Sequence, residues 1–184
     1  MSLVNARRTA FVEPGNATMS VPPATPATAR ESIAAAPTSC QESMRKSSPN
    51  PSIRDTLSFS GHRVVDYRVV ADVPEQIREV LSEWIERDDV QAVLSNGGTG
   101  IAARDTTYDA ISGMLEKRID GFGELFRMLS WQEVGAAAML SRAVAGVAGG
   151  TLIVAMPGST NAVRLALTKL IVPELGHLVY EITK

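Results

Sequence analysis

The chain has 184 residues, room for one domain and a tail, and a formal net charge of −2. Residues 61–184 carry twelve basic and sixteen acidic side chains, a balance that argues against a nucleic-acid surface. No apolar run approaches the roughly eighteen residues a membrane helix needs. The single cysteine, Cys40, cannot close an intrachain disulfide, so a reducing cytoplasm is the expected location.

In chain order, residues 1–60 are rich in Ser, Pro, Ala and Thr and hold seven of the ten prolines. They show no helical or strand period and too little apolar surface to offset ordering entropy. An irregular or disordered segment is expected, and with it a protease-resistant fragment starting near residue 60. Arg7-Arg8 is not followed by the apolar stretch an export signal needs. The β-branched and aromatic residues 63–70 predict a strand. Asp72 then reads as a helix N-cap, with Pro74 in the first turn and Glu75 placed for a capping box. Ile77, Val80, Leu81, Trp84 and Ile85 form the apolar face of that helix. Residues 90–94 predict a short buried strand. Thr106-Thr107 can cap a helix running to about Arg118, a short helix is expected over residues 121–129, and a small-residue helix over 136–144. Residues 151–155 predict another buried strand. A helix over 161–170 is expected to break at Pro173, before a last helical segment at 174–180. Trp84, Trp131 and the methionines are assigned to packing. Strand–helix alternation with apolar strands predicts a mainly parallel sheet covered by helices on both faces, a three-layer α/β/α fold.

Two predicted strands end in loops that hold glycine and a hydroxyl residue. The first runs Gly97-Gly98-Thr99-Gly100 and is followed by Asp105; the second is Pro157-Gly158-Ser159. Parallel strands share their carboxyl ends, so both loops are expected on one edge of the sheet, where ligands of open α/β sheets sit. Glycine lets backbone N–H groups approach an anion. A carboxylate beside a phosphate cradle calls for a divalent cation between them. Spacing alone also allows a plain turn at this loop, and a helix-flanking acid at Asp105.

Four motifs in order, Gly97-Gly98-Thr99-Gly100 with Asp105, Gly121-Phe122-Gly123-Glu124, Ser141-Arg142-Ala143 and Met156-Pro157-Gly158-Ser159, resemble the MoaB/MogA family of molybdenum cofactor biosynthesis proteins. The likeness runs over residues 61–180 and is closer to the MoaB branch. It implies a molybdopterin-binding domain and a molybdopterin adenylyltransferase, with ATP as co-substrate, Mg²⁺ as cofactor and molybdopterin as the second ligand. It further implies a homo-oligomer, a trimer or hexamer. By the same resemblance Asp105 and Asp72 are the catalytic, Mg²⁺-holding acids. Gly97, Gly98, Thr99, Gly100, Pro157, Gly158 and Ser159 form the ligand cradle, and Glu124 and Arg142 are further contacts. Local readings compete at several positions: a cap for Asp72, turn hydroxyls for Thr99 and Ser159, an exposed helix acid for Glu124, a surface ion pair for Arg142. His62 and His177 lack metal-type spacing.

The family begins with an apolar strand, a Ser-Asp pair and a long helix, and residues 1–60 show no equivalent. Ala10-Phe11-Val12 and residues 33–36 are too short to count, so the domain is expected to lack its first strand and helix. A misassigned reading frame joined to the correct one near Ser60 is one account; a degenerate paralogue is the other. Loss of that unit would favour a non-catalytic molybdopterin-binding protein over an enzyme.

Overall fold

The computed structural model describes residues 7–14 and 56–184. Its strands are β1 (Arg7–Pro14), β2 (His62–Val70), β3 (Ala92–Asn96), β4 (Lys117–Arg118), β5 (Val144–Ala148) and β6 (Thr151–Met156). Its α-helices are α1 (Pro74–Ile85), α2 (Thr107–Ser112), α3 (Asp120–Val134), α4 (Thr160–Ala166) and α5 (Val172–Thr183). They form one six-stranded sheet in the order β2-β1-β3-β6-β5-β4. The pairings of β1 with β2, β1 with β3 and β3 with β6 are parallel, and β6–β5 and β5–β4 are antiparallel.

The period of two along the central strands sorts their side chains into two cores. Leu94, Leu152, Val154 and Met156 pack with Phe126 of α3, Val163 of α4 and Leu175 and Val179 of α5. Val93, Ile153 and Ala155 pack on the other face with Ile77, Leu81 and Trp84 of α1 and Ala110 and Ile111 of α2. This is the three-layer α/β/α arrangement the alternation predicts. Every residue of β3 and β6 is buried, as strands covered on both faces require. Helix α1 is tied to β2 through Asp66, which accepts bonds from Trp84 Nε1 at 3.0 Å and Arg87 Nη1 at 2.7 Å. Arg68 adds a paired bond to Glu83, and that bond holds the Glu83 carboxyl below its ordinary range.

Several expectations need correction. The first strand is not missing: Arg7–Pro14 lies between β2 and β3, with Arg7 opposite His62 and Thr9 opposite Ala92. Ahead of β2, residues 56–59 are helical; whether the rest of the first helix is present falls outside the described residues. Leu57, ahead of the expected boundary, is fully buried in the core. In place of the helix expected over 136–144, residues 135–140 form a 3₁₀ turn and Val144 opens a strand that runs to Ala148. Gly149 and Gly150, with φ of 54° and 77°, make the two-residue turn that folds β5 back on β6, since both positions need positive φ there. Pro173 does not break the last helix. A wide π turn at Leu167–Ile171 leads into α5, spreading the backbone where the proline ring would strike the carbonyl four residues back. Trp131 is 61 % exposed rather than packed, and so are Met128 and Met139.

Candidate ligand-binding site

The buried strand β3 delivers the chain to Gly97 and Gly98, both at positive φ (90° and 59°). Strand β6, its parallel neighbour, delivers Pro157-Gly158-Ser159 beside it. The two loops touch. The Gly97 N–H donates to the Met156 carbonyl at 2.9 Å, and a Cβ on Gly158 would lie 2.9 Å from Gly97 Cα. The expected meeting of the two loops at one sheet edge is therefore present. The Gly97 N–H itself is already committed, so an anion would draw on the amides that follow it.

Two carboxylates press on the first loop from different segments. A Cβ on Gly98 would meet Asp72 Oδ2 at 2.6 Å, and one on Gly100 would meet Asp105 Oδ2 at 2.3 Å. Glycine at both positions is what lets the acids come this close. Asp72 is not the N-cap of α1, since that position is Val73 and makes no side-chain cap bond. Its Oδ1 instead accepts from the Thr106 N–H at 3.1 Å, Thr106 Oγ1 at 2.9 Å and Thr107 Oγ1 at 2.9 Å. The Asp72 carbonyl also accepts from Thr106 Oγ1. Thr106 and Thr107, read from sequence as caps of the next helix, thus clamp this acid across the site. One oxygen of Asp72 is saturated and the other faces the loop.

Arg142 holds the loop from behind. Its Nε donates to the Thr99 carbonyl at 2.9 Å, and Nη2 donates to the carbonyls of Gly100 at 2.6 Å and Asp105 at 3.3 Å. Nη1 reaches both Asp109 oxygens at 3.1 Å. The guanidinium lies 4.5 Å from the centre of the Tyr108 ring. With carbonyls drawn toward Arg142, the loop has a fixed backbone shape, and five N–H donors in a planar fork suit that task where an ammonium would not. The residue expected as a ligand contact thus bonds the loop itself and Asp109. Thr99 is buried at 3 % exposure, and Ser159 caps α4 by accepting from the Ala162 N–H at 3.3 Å. At the root of the loop Asn96 is 3 % exposed, and its Oδ1 has no hydrogen-bond partner. An unmet acceptor of this kind costs about 1–3 kcal/mol unless a donor arrives.

Glu124 sits apart from the acids. It lines a cleft of about 230 Å³ together with Tyr108, Arg118, Asp120, Gly123 and Arg127. The Tyr108 hydroxyl is the first cause of the raised Arg118 pKa, ahead of Asp120. Tyr108, Arg118, Arg127 and the hydroxyls of Thr106 and Thr107 were not singled out as site residues from sequence. Their signal is purely spatial, since partners such as Asp72 and Thr106 are 34 positions apart.

Likeness to known proteins bears on this arrangement. The model of the family described as "Probable molybdopterin binding domain" matches residues 33–177. Molybdenum cofactor biosynthesis protein B of Halalkalibacterium halodurans is 54 % identical over 133 residues, which cover 72 % of this chain and 78 % of that protein. A crystal structure of a molybdenum cofactor biosynthesis protein B superposes with a TM-score of 0.76 at 38 % identity, covering 97 % of each chain. The tungsten cofactor synthesizing protein MoaB from Pyrococcus furiosus superposes at 0.74 and 26 % identity, over 97 % of this chain and 98 % of that one. With a family model spanning most of its length and a relative more than half identical, the chain belongs to the molybdopterin-binding domain family, alongside the MoaB proteins.

Proposed function

We propose that the chain acts in molybdenum cofactor biosynthesis as a molybdopterin adenylyltransferase. The observation that carries this reading is the loop 97–100 flanked by two carboxylates, Asp72 against Gly98 and Asp105 against Gly100. In the reaction, an oxygen of the terminal phosphate of molybdopterin attacks the α-phosphorus of ATP. The bond to the β-phosphate oxygen breaks and pyrophosphate leaves. Both reactants are anionic, so the protein must neutralise charge and align the two centres.

The donor set fits a hydrated Mg²⁺ rather than a protein cage. Among the described residues no three His, Cys, Asp or Glu side chains gather closely enough to hold a metal alone. Mg²⁺ ordinarily takes one or two carboxylates, with phosphate oxygens and waters completing its shell. Asp105 would hold it, with Oδ2 of Asp72 as the second acid; bound there, it would screen the phosphate charge from both. The amides of residues 98–100 orient phosphate oxygens, Arg142 keeps those amides in place, and the unmet Asn96 acceptor favours a ligand donor near the loop root.

The test is pyrophosphate release with ATP, Mg²⁺ and molybdopterin, run beside molybdopterin binding alone. Release that requires all three supports the transferase. Binding without release selects a non-catalytic molybdopterin-binding protein instead.

A further inference from the structure

We propose that Tyr108 is a positioning residue for the glycine loop: its ring backs the guanidinium of Arg142, and the two together aim the amide N–H groups of Gly100 and Ile101 at an anion. The inference rests on the adenylyltransferase reading above and gives the loop's shape a cause outside the loop.

Peptide geometry sets the aim. In a planar trans unit the N–H points opposite to the C=O of the preceding residue, and no peptide bond among the described residues is cis. Arg142 collects the carbonyls of Thr99, Gly100 and Asp105. The N–H groups of Gly100, Ile101 and Thr106 share those three units and are therefore turned away from Arg142. The third supplies a check, because the Thr106 N–H finds a carboxylate oxygen, Asp72 Oδ1, at 3.1 Å. The other two are turned by the same fork.

Tyr108 keeps that fork in its plane. Nε, Nη1 and Nη2 all bond along the edge of the guanidinium, which fixes its place within the plane but not its tilt. The Tyr108 ring centre lies 4.5 Å from Arg142 Cζ, inside the roughly 6 Å over which a ring face holds a cation. A ring on that face opposes the tilt. The ion pair with Asp109 cannot do so, since its carboxylate is 66 % exposed and solvent screening leaves such pairs weak.

The ring is anchored in turn. The Tyr108 N–H donates to the Gly98 carbonyl at 3.4 Å, and its neighbour Thr107 is buried and bonded to Asp72. The Tyr108 hydroxyl engages Arg118, which is bonded to Asp120 at 3.4 Å. One side chain thus joins α2 and β4 to the arginine that shapes the loop.

The experiment uses the full chain, with Mg-ATP affinity and the NMR signal of the Arg142 Nε–H as readouts. The signal is identified by its loss in Arg142→Lys. Tyr108→Leu should weaken Mg-ATP binding about tenfold, while Tyr108→Phe, which keeps the ring, should stay within about threefold of wild type. Phenylalanines carrying one, two and three fluorines at position 108 keep the shape and drain the ring face of charge. Affinity should fall stepwise along that series, and the Nε–H signal of the ligand-free protein should broaden in step; a ring that merely fills space would move neither. The fluorinated series also decides the matter if Tyr108→Leu fails to fold. The proposal is overturned if the series matches Tyr108→Phe in both readouts, or if Tyr108→Leu binds Mg-ATP as wild type does. A wild type that binds no ATP, with an Nε–H signal that follows the ring, removes the transferase and leaves Tyr108 in its role. Pyrophosphate release by the wild type, with affinity and signal indifferent to fluorination, does the reverse.

Discussion

Placing one methyl group at Gly98 tests the site at its tightest point. The residue has φ +59°, a conformation that costs an L-residue roughly 1–2 kcal/mol. The new Cβ would stand 2.2 Å from Thr107 Oγ1, 2.8 Å from Thr107 Cβ and 2.6 Å from Asp72 Oδ2. None of these contacts is tolerable, so Thr107 and Asp72 must part from the loop or from each other. Losing one hydrogen bond to a charged group costs about 1.5–3 kcal/mol. Gly98→Ala should therefore destabilise the fold by about 3–4 kcal/mol, a fall in Tm of about 10 °C for a domain of this size. ATP affinity should drop with it, and Gly98→Val should abolish ligand binding. Thermal melts followed by circular dichroism read the first effect and ligand titration the second. Thr107→Ala removes the nearest of the three contacts, so it should restore at least about 1 kcal/mol to the alanine variant in a double-mutant cycle. Strict additivity of the two changes, within about 0.5 kcal/mol, would refute the reasoning.

Asp105→Asn should lower turnover about 10²–10³-fold with little effect on molybdopterin affinity, because size is kept and only the charge is lost; unchanged turnover and Mg²⁺ dependence in steady-state assays would remove Asp105 from the chemistry. Arg142→Lys keeps the charge but cannot bond the carbonyls of Thr99, Gly100 and Asp105 together, so ATP binding should weaken about tenfold or more with the melting curve nearly intact. The exposed apolar stripe of Leu125, Met128, Trp131 and Val134, continued by Met139 and Leu140, predicts self-association of the chain. Light scattering should find an oligomer that Trp131→Glu shifts to smaller species, and a clean monomer of the wild type at micromolar concentration contradicts this. Removal of residues 1–14 should expose the facing edges of β2 and β3 and cause aggregation, whereas a soluble, cooperatively melting truncated chain would show that β1 is dispensable.

The glycine loop was legible as a turn at the end of a buried strand because its signal is local: a buried apolar run, three glycines and an acid five positions on. The layers were legible for the same reason, since Ile77, Leu81 and Trp84 recur at helical spacing. What escaped depends on residues far apart. Arg7–Pro14 has only Ala10-Phe11-Val12 as apolar content, and its identity as a strand comes from two partners that lie much later in the chain. Residues 144–148 are small and apolar, a run whose period cannot separate strand from helix; the Gly149-Gly150 turn and pairing with β6 decide it. Asp72 has the sequence context of a cap, yet two threonine hydroxyls beyond the glycine loop make a stronger offer than the start of α1. Arg142 stands in a motif that suggested a ligand contact, and its hydrogen bonds in the structure go to the loop carbonyls and to Asp109.

The place of β1 in the sheet also sets an order of assembly. The β5–β6 hairpin closes through two residues and can form on the microsecond scale. Strand β1, with Arg7 opposite His62 and Thr9 opposite Ala92, must pair with partners far away in sequence before it gains anything, which makes it a late addition to the fold. During synthesis β1 leaves the ribosome before both of its partners and is thus among the last of the described strands to dock. Until it does, β2 and β3 are two open edges flanking a vacant slot, and a strand from another molecule can fill that slot as readily as the chain's own. Traffic between monomeric folding and strand exchange should therefore depend on protein concentration during refolding, with β1 as the exchanged element.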